Sequence, residues 1–465
     1  MKCRKSDNIP ATLQVPEQNH IDLDQIKERG KLIALTDNST TSYFIYKGTP
    51  MGYEHDLLNL LAEHLGVDLE IVVVKNMDDI IDMLIKGKGD IIAANLTVTQ
   101  ERAEKINFTE HHILTRQVLV QRKPDGWKKM RYYDEIEKKL IRNQIDLIGK
   151  GIHVRKNSSF YTRLKSLSDE IGGKINIVEA PGDHETEFLI SQVAKGEIDY
   201  TVADENVARV NQNYYSNIDV KTVISFPQKI AWAVNKDTPE LLEEINKWIK
   251  SIRNKNKYVA VYNKYFKNHG TQKLRVESDY FSYSETGGGK ISKYDHIIKT
   301  YSKKIDWDWR LLASQIYQES NFDPQAESWA GAFGLMQLIP TTASLYGVDS
   351  LSTAAQNVMA GTKYLSWLND YWKGIIIEKQ ERTKFILGSY NVGLGHIIDA
   401  RNLAIKYNKD PNTWDDNVAW FVLQKSRKKY YNDEVVKHGY CRGEEPYNYV
   451  KNILSRYEHY KNVNI

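Results

Sequence analysis

Cysteine is almost missing from this chain: its 465 residues hold two, Cys3 and Cys441. Two thiols at opposite ends make neither a disulfide framework nor a thiolate metal cluster. No run of about 18 apolar residues occurs, so nothing reads as a membrane span. A surplus of one charge is lacking too. Sixty-four Lys and Arg stand against 60 Asp and Glu, a net +4 that gives no case for a nucleic-acid partner and still suits an anionic polymer. Histidine is sparse, and His111 and His112 are neighbours, which places their side chains poorly for shared ligation. They read as surface or cleft lining, and neither a metal nor a cofactor is expected. What is present is length for two or three domains of about 150 residues each. The 29 Tyr and 10 Trp suit stacking on sugar rings, or reflect a bias of lineage.

Residues 1–29 have little apolar pattern and read as a tether. From Gly30 the texture changes. "KLIALT", "DLEIVVVK" and "GDIIAA" are short β-rich runs, separated by amphipathic helical stretches that end at Gly66 and Gly87. The alternation resumes near residue 145 with "DLIGKGIHV", "KINIVEA" and "IDYTVAD", and a helix near 239–252 closes the region. Strands alternating with helices predict α/β units. Two such blocks read as two lobes around a cleft, one lobe at about 30–122 and 226–267, the other at about 123–225. Gly287, Gly288 and Gly289 lie in a polar stretch, so 268–289 reads as a linker. Beyond it helical periodicity dominates, at 306–320, 353–370, 380–390, 394–406, 414–425 and 446–462. A separate all-α domain is expected over 290–465.

In "LLASQIYQESNFDPQAESWAGAFGLMQLIP", Leu312, Ile316 and Glu319 are spaced i, i+4, i+7 and share a helix face. Asp306 reads as the N-cap of that helix. A carboxyl on an apolar face avoids the cost of burial by staying protonated, which raises its pKa and suits it to general acid work near neutral pH. The alternative is a helix-end glutamate turning to solvent. Asp323, in an Asp-Pro sequence, reads as turn chemistry. Gly331 and Gly334 would serve a close approach of backbone to a polymer or simply a tight turn.

"YQES", "GAFGLMQLIPTTA", "SYNVG" and "YNYVKNIL" occur in an order and spacing that resemble the lytic murein transglycosylases with a lysozyme-like, soluble-lytic-transglycosylase-type domain. The resemblance implies that Glu319 is the catalytic acid/base. It also implies that Ser320, Met336, Gln337, Tyr390, Asn391 and Tyr449 line a glycan cleft. Ordinary glycosidases use two carboxylates about 5–9 Å apart, and no second acid with a paired role stands out near Glu319. One acid suffices if the substrate's own 2-acetamido group and C6 hydroxyl supply the rest, leaving a 1,6-anhydro sugar.

"SYFIYKGTPMGYEHDLL", "NLTVTQERAEKINFTE" and "IDYTVADENVA" make residues 30–267 resemble the type-3 periplasmic solute-binding proteins. By that resemblance Arg102, with Thr97, holds an α-carboxylate, Asp204 an α-amino group, and Ser158 and Ser159 offer hydroxyls from the second lobe. "KNSS" and "TEHH" depart from the usual patterns, which leaves the ligand open. Arg102 would otherwise be a helix-surface partner of Glu101 or Glu104.

The two modules in this order resemble the membrane-bound lytic murein transglycosylase F family. That resemblance implies a lyase acting on peptidoglycan glycan strands, with an N-terminal domain that senses an amino acid or muropeptide. It also implies a place on the periplasmic face of the outer membrane through a lipid on Cys3, the secretion signal having been removed. Cys3 as an unremarkable terminal cysteine is the alternative. Two other functions stay open: a hydrolytic muramidase on the same fold, and an amino-acid-binding receptor with an inactive C-terminal domain.

Overall fold

The computed structural model describes residues 21–462 apart from 40, 47, 131–132, 183, 254 and 268–290. Cys3 and the expected linker lie outside these residues. The chain divides into two units. One comprises residues up to 38 with 56–209 and 217–262; the other comprises 39–55, 210–216 and 263 onward.

The first unit contains two five-stranded sheets, as the α/β alternation predicts. In one sheet the order is Asp68–Val73, Lys31–Thr36, Ile91–Ile92, Ala233–Val234, Asn107–Phe108. Its first pair is parallel, Lys31 opposite Asp68 through Thr36 opposite Val73. Leu35, Ile80, Leu84, Ile92, Leu96 and Ile106 form the core of this lobe. The other sheet runs Asn176–Ala180, Gly151–Arg155, Tyr200–Asp204, Gln117–Arg122, Ile218–Val223. Leu119, Ile152, Val154, Leu164, Leu167 and Val202 are packed behind it.

The lobe boundary differs from the sequence reading. Gln117–Arg122, expected in the first lobe, pairs antiparallel with Tyr200–Asp204 and with Ile218–Val223, so it belongs to the second. The crossing is made by Ile113–Thr115 paired with Gln228–Ile230. An apolar strand reads the same in either sheet, so the sequence pattern alone does not assign it. Leu23–Arg29, within the expected tether, is a helix with an Asp22 capping box and a fully buried Ile26.

In the second unit the main helices are Trp309–Ser320, Ala354–Lys373, Lys379–Val392, Leu394–Lys406 and Glu444–Lys461. Leu312, Ile316, Leu368, Trp372, Phe385, Trp414 and Ile453 are fully or almost fully buried in one shared core. The cap of the first of these helices is Asp308, whose carboxylate accepts from Arg310 N at 2.9 Å; Asp306 instead takes a left-handed turn. The expected 414–425 helix is interrupted, because Asp415 and Asp416 have non-helical backbone.

Candidate active site and ligand cleft

Glu319 sits one residue from the C-terminal end of the Trp309–Ser320 helix, which Asn321 stops in a left-handed conformation. Its helix face carries Leu312 and Ile316, both fully buried, and Gln315 one turn before it. The carboxyl is partly buried. Desolvation pushes its pKa up to about 8, the charge of Glu445 adds to the rise, and a hydrogen bond from Tyr449 opposes it. Tyr449 Oη donates to Glu319 Oε1 and accepts from Gln315 Nε2 at 3.2 Å. Gln315, Tyr449 and Glu319 thus form a short relay across two helices. Gln315 was not read from the sequence, although its i−4 spacing from Glu319 was the available signal.

The other expected cleft residues divide by what their side chains do. Tyr390, in the last turn of Lys379–Val392, donates to Met336 O at 2.8 Å, and Glu319 is among the charges acting on it. Asn391 is beside it, half-buried. Met336 is fully buried, its sulfur packed where a Cβ on Gly361 would stand, and its N–H donates to Asn357 Oδ1 at 2.8 Å. It serves the pocket through its carbonyl, not its side chain. Gln337, at φ 46°, donates to Ala326 O and Gly334 O. Ser320 donates to Ile316 O and to Leu335 O at 2.9 Å. These three side chains brace the 326–338 loop against the Glu319 helix. Gly334 needs its lack of a side chain because of packing: a Cβ there would lie 2.4 Å from Asn357 Nδ2. Asp323 is a turn residue, accepting from Gln325 N at 2.9 Å.

In the first unit the expected ligand residue Asp204, with Asn95 and Arg155, lies at the carboxyl ends of strands, where open α/β sheets place their sites. Asn95 follows Ile91–Ile92, and Arg155 and Asp204 end their strands. The Arg102 guanidinium points inward to Thr97 O at 2.9 Å, and burial together with the Arg155 charge lowers its pKa to about 10. Asp204 is buried. Desolvation raises its pKa to about 7, against a hydrogen bond from Asn95 and the charges of Arg102 and Arg155. Thr97 accepts from Ser159 Oγ at 3.1 Å, while Ser158 is the N-cap of the Ser159–Glu170 helix. Gln117, directly opposite Asp204 across the sheet, donates to Ser159 Oγ at 3.2 Å. Asp204 Oδ1 and Gln117 Oε1 are buried acceptors without a hydrogen-bond partner. His112, expected at the surface or in a cleft, is buried with its ring against Trp232.

Two family models match. Bacterial extracellular solute-binding proteins, family 3, covers residues 32–268, and the transglycosylase SLT domain covers 296–414. A membrane-bound lytic murein transglycosylase F from Desulfosudis oleivorans is 36% identical over 93% of this chain and 90% of its own length. One of the same name from Saccharophagus degradans is 33% identical over 96% of this chain and 83% of its own. The chain belongs to the membrane-bound lytic murein transglycosylase F family. Among solved structures it is similar to a mutant arginine-binding protein from T. maritima, at 25% identity and a TM-score of 0.44, over 52% of this chain and 98% of that one. It is also similar to an ancestral amino-acid-binding protein, at 28% identity and a TM-score of 0.43, over 53% of this chain and 99% of that one. For this transglycosylase F family member the SLT match stops at residue 414, so Tyr449, the direct partner of Glu319, comes from beyond it.

Proposed function

We propose that the chain is a lytic murein transglycosylase that cleaves the β-1,4 bond from N-acetylmuramic acid to N-acetylglucosamine in peptidoglycan and leaves 1,6-anhydro ends. The observation that supports this most directly is a single partly buried carboxyl, Glu319, with a pKa near 8 and a tyrosine as its hydrogen-bond partner. At neutral pH such a group is protonated and gives its proton to the leaving glycosidic oxygen. The substrate's 2-acetamido group stabilises C1. The Glu319 carboxylate then takes the proton of the C6 hydroxyl as that oxygen attacks C1, so no water is consumed. Tyr449 and Gln315 orient Glu319. Tyr390 and Asn391 face the sugar, while Ser320, Met336 and Gln337 hold the loop that shapes the pocket.

In this reading the first unit binds an amino acid or cell-wall peptide and modulates the enzyme. Arg102 and Thr97 hold its carboxylate, Asp204 its amino group, and Ser158 and Ser159 close over it from the second lobe. A two-lobed clamp is an element whose equilibrium a ligand can bias. The protein works at the periplasmic side of the outer membrane, anchored by a lipid on Cys3.

Mass spectrometry of products from purified peptidoglycan tests the reaction. Anhydromuropeptides are expected; reducing-end products would make the chain a hydrolytic muramidase. For the sensor, an amino-acid or muropeptide effect on turnover is expected in the whole chain and absent in Arg102→Ala. An effect that survives Arg102→Ala would remove the sensing role from this cleft.

A further inference from the structure

Tyr390 is the innermost ring of a run that leads from the Glu319 pocket to the surface. The Tyr364 ring, on Ala354–Lys373, lies 5.2 Å from that of Tyr390. One helical turn on, Trp367 stacks on Tyr364 at 5.9 Å with the planes 16° apart. The Tyr346 ring is tilted against that of Tyr364 at 6.5 Å. Tyr371 continues the same helix face, since positions i, i+3 and i+7 align. The adjacent face of this helix, Leu365, Leu368 and Trp372, each one residue on and so turned by about 100°, is buried in the core. The run has a half-buried inner part, Tyr390 and Tyr364, and an exposed outer part, Trp367 at 49% and Tyr371 at 38%.

Single exposed aromatics are ordinary. Here three features set Trp367 apart. It is continuous with the reactive pocket through Tyr364. The stack on Tyr364 restrains its ring, which lowers the side-chain freedom lost on binding. The seven-residue step from Tyr364 to Tyr371 spans about 10 Å of helix, comparable to a disaccharide repeat. Pyranose rings present C–H faces that pack on the electron-rich face of an indole or phenol.

We propose that Trp367, supported by Tyr364, is a stacking platform for the peptidoglycan glycan strand at sugars beyond the scissile bond, and that it sets a preference for long strands. The proposal rests on the peptidoglycan reading of the Glu319 site. Its test separates binding from chemistry, using whole-chain Glu319→Gln as the inert background. The probes are solubilised glycan strands and a tetrasaccharide of the same repeat, measured by calorimetry. Adding Trp367→Ala is expected to weaken binding of the strands about three- to tenfold, the size of one aromatic stacking contact. Tetrasaccharide binding should change less than about twofold, and Trp367→Phe should restore most of the loss on strands. Equal strand affinity with and without Trp367, or equal losses on both probes, overturns the platform. Product analysis of the wild type judges the Glu319 reading separately, so a platform that binds glycan in a chain making no cleavage products would fail that reading alone.

Discussion

Two carboxylates in different units, Asp204 buried and Glu319 partly buried, have both been pushed toward neutrality, Glu319 to about 8 and Asp204 to about 7, and the main cause is the same desolvation. Their neighbours differ. Asp204 has the charges of Arg102 and Arg155 and the Asn95 amide, all of which favour its ionised form. Glu319 has a tyrosine hydroxyl and the like charge of Glu445, and no cation is among the causes of its shift. A carboxyl surrounded by cations and amide donors is arranged to receive a charged ligand group. One with a like charge is arranged to keep a proton and then lose it to a substrate. Burial alone therefore does not separate an acid catalyst from a binding residue; the sign of the surrounding charge does.

The sharpest way to break the contrast is to neutralise each carboxyl. Glu319→Gln should lower turnover about 10²- to 10⁴-fold, the usual share of general acid–base catalysis. Asp204→Asn should leave turnover without effector close to that of the wild type, measured by release of soluble muropeptides. Next in size, Arg102→Lys should weaken amino-acid or muropeptide binding by at least about tenfold in calorimetry, because an ammonium does not reproduce the two-point grip of a guanidinium. Stability gives a third test. A carboxyl whose folded pKa lies above its unfolded value contributes its full stability below about pH 4, and that contribution is lost as pH rises through 8. Glu319→Gln should thus raise the melting temperature relative to wild type at pH 9 and change it little at pH 4, a difference on the order of 2 kcal/mol or more in denaturant unfolding. The smallest effects are shifts of the pH profile. The Tyr449 hydrogen bond lowers the Glu319 pKa, so Tyr449→Phe should move the alkaline limb of activity upward. Glu445 raises it, so Glu445→Gln should move the limb downward. Shifts in the opposite directions would mean that another group governs the limb.

The two sites were not equally legible in the sequence. Glu319 was readable because its helix spaces Leu312, Ile316 and Glu319 on one face, a local pattern. Tyr449 came from a motif, but its bond to Glu319 joins residues 130 positions apart, and no periodicity reports that. Asp306 and Asp308 are both good caps by composition, and only the left-handed backbone at Asp306 separates them. Ser320, Met336 and Gln337 were read as cleft residues, yet their side chains tie or pack the 326–338 loop; a motif marks position without saying which way a side chain turns. In the first unit Asn95 and Gln117 carried no signal, because a polar residue at a strand end reads as a turn until the second sheet is placed against it. The same blindness put Gln117–Arg122 in the wrong lobe: register and sheet membership are properties of pairing, which one strand's pattern does not encode.

The central claim is that Glu319 works from its protonated form. The rate of anhydromuropeptide formation as a function of pH, at subsaturating peptidoglycan, tests it most directly. The account requires kcat/KM to hold through neutrality and fall as pH rises through about 8. A rate that climbs steadily from pH 5 to 9 would contradict it, since the group that matters would then be an ionised base.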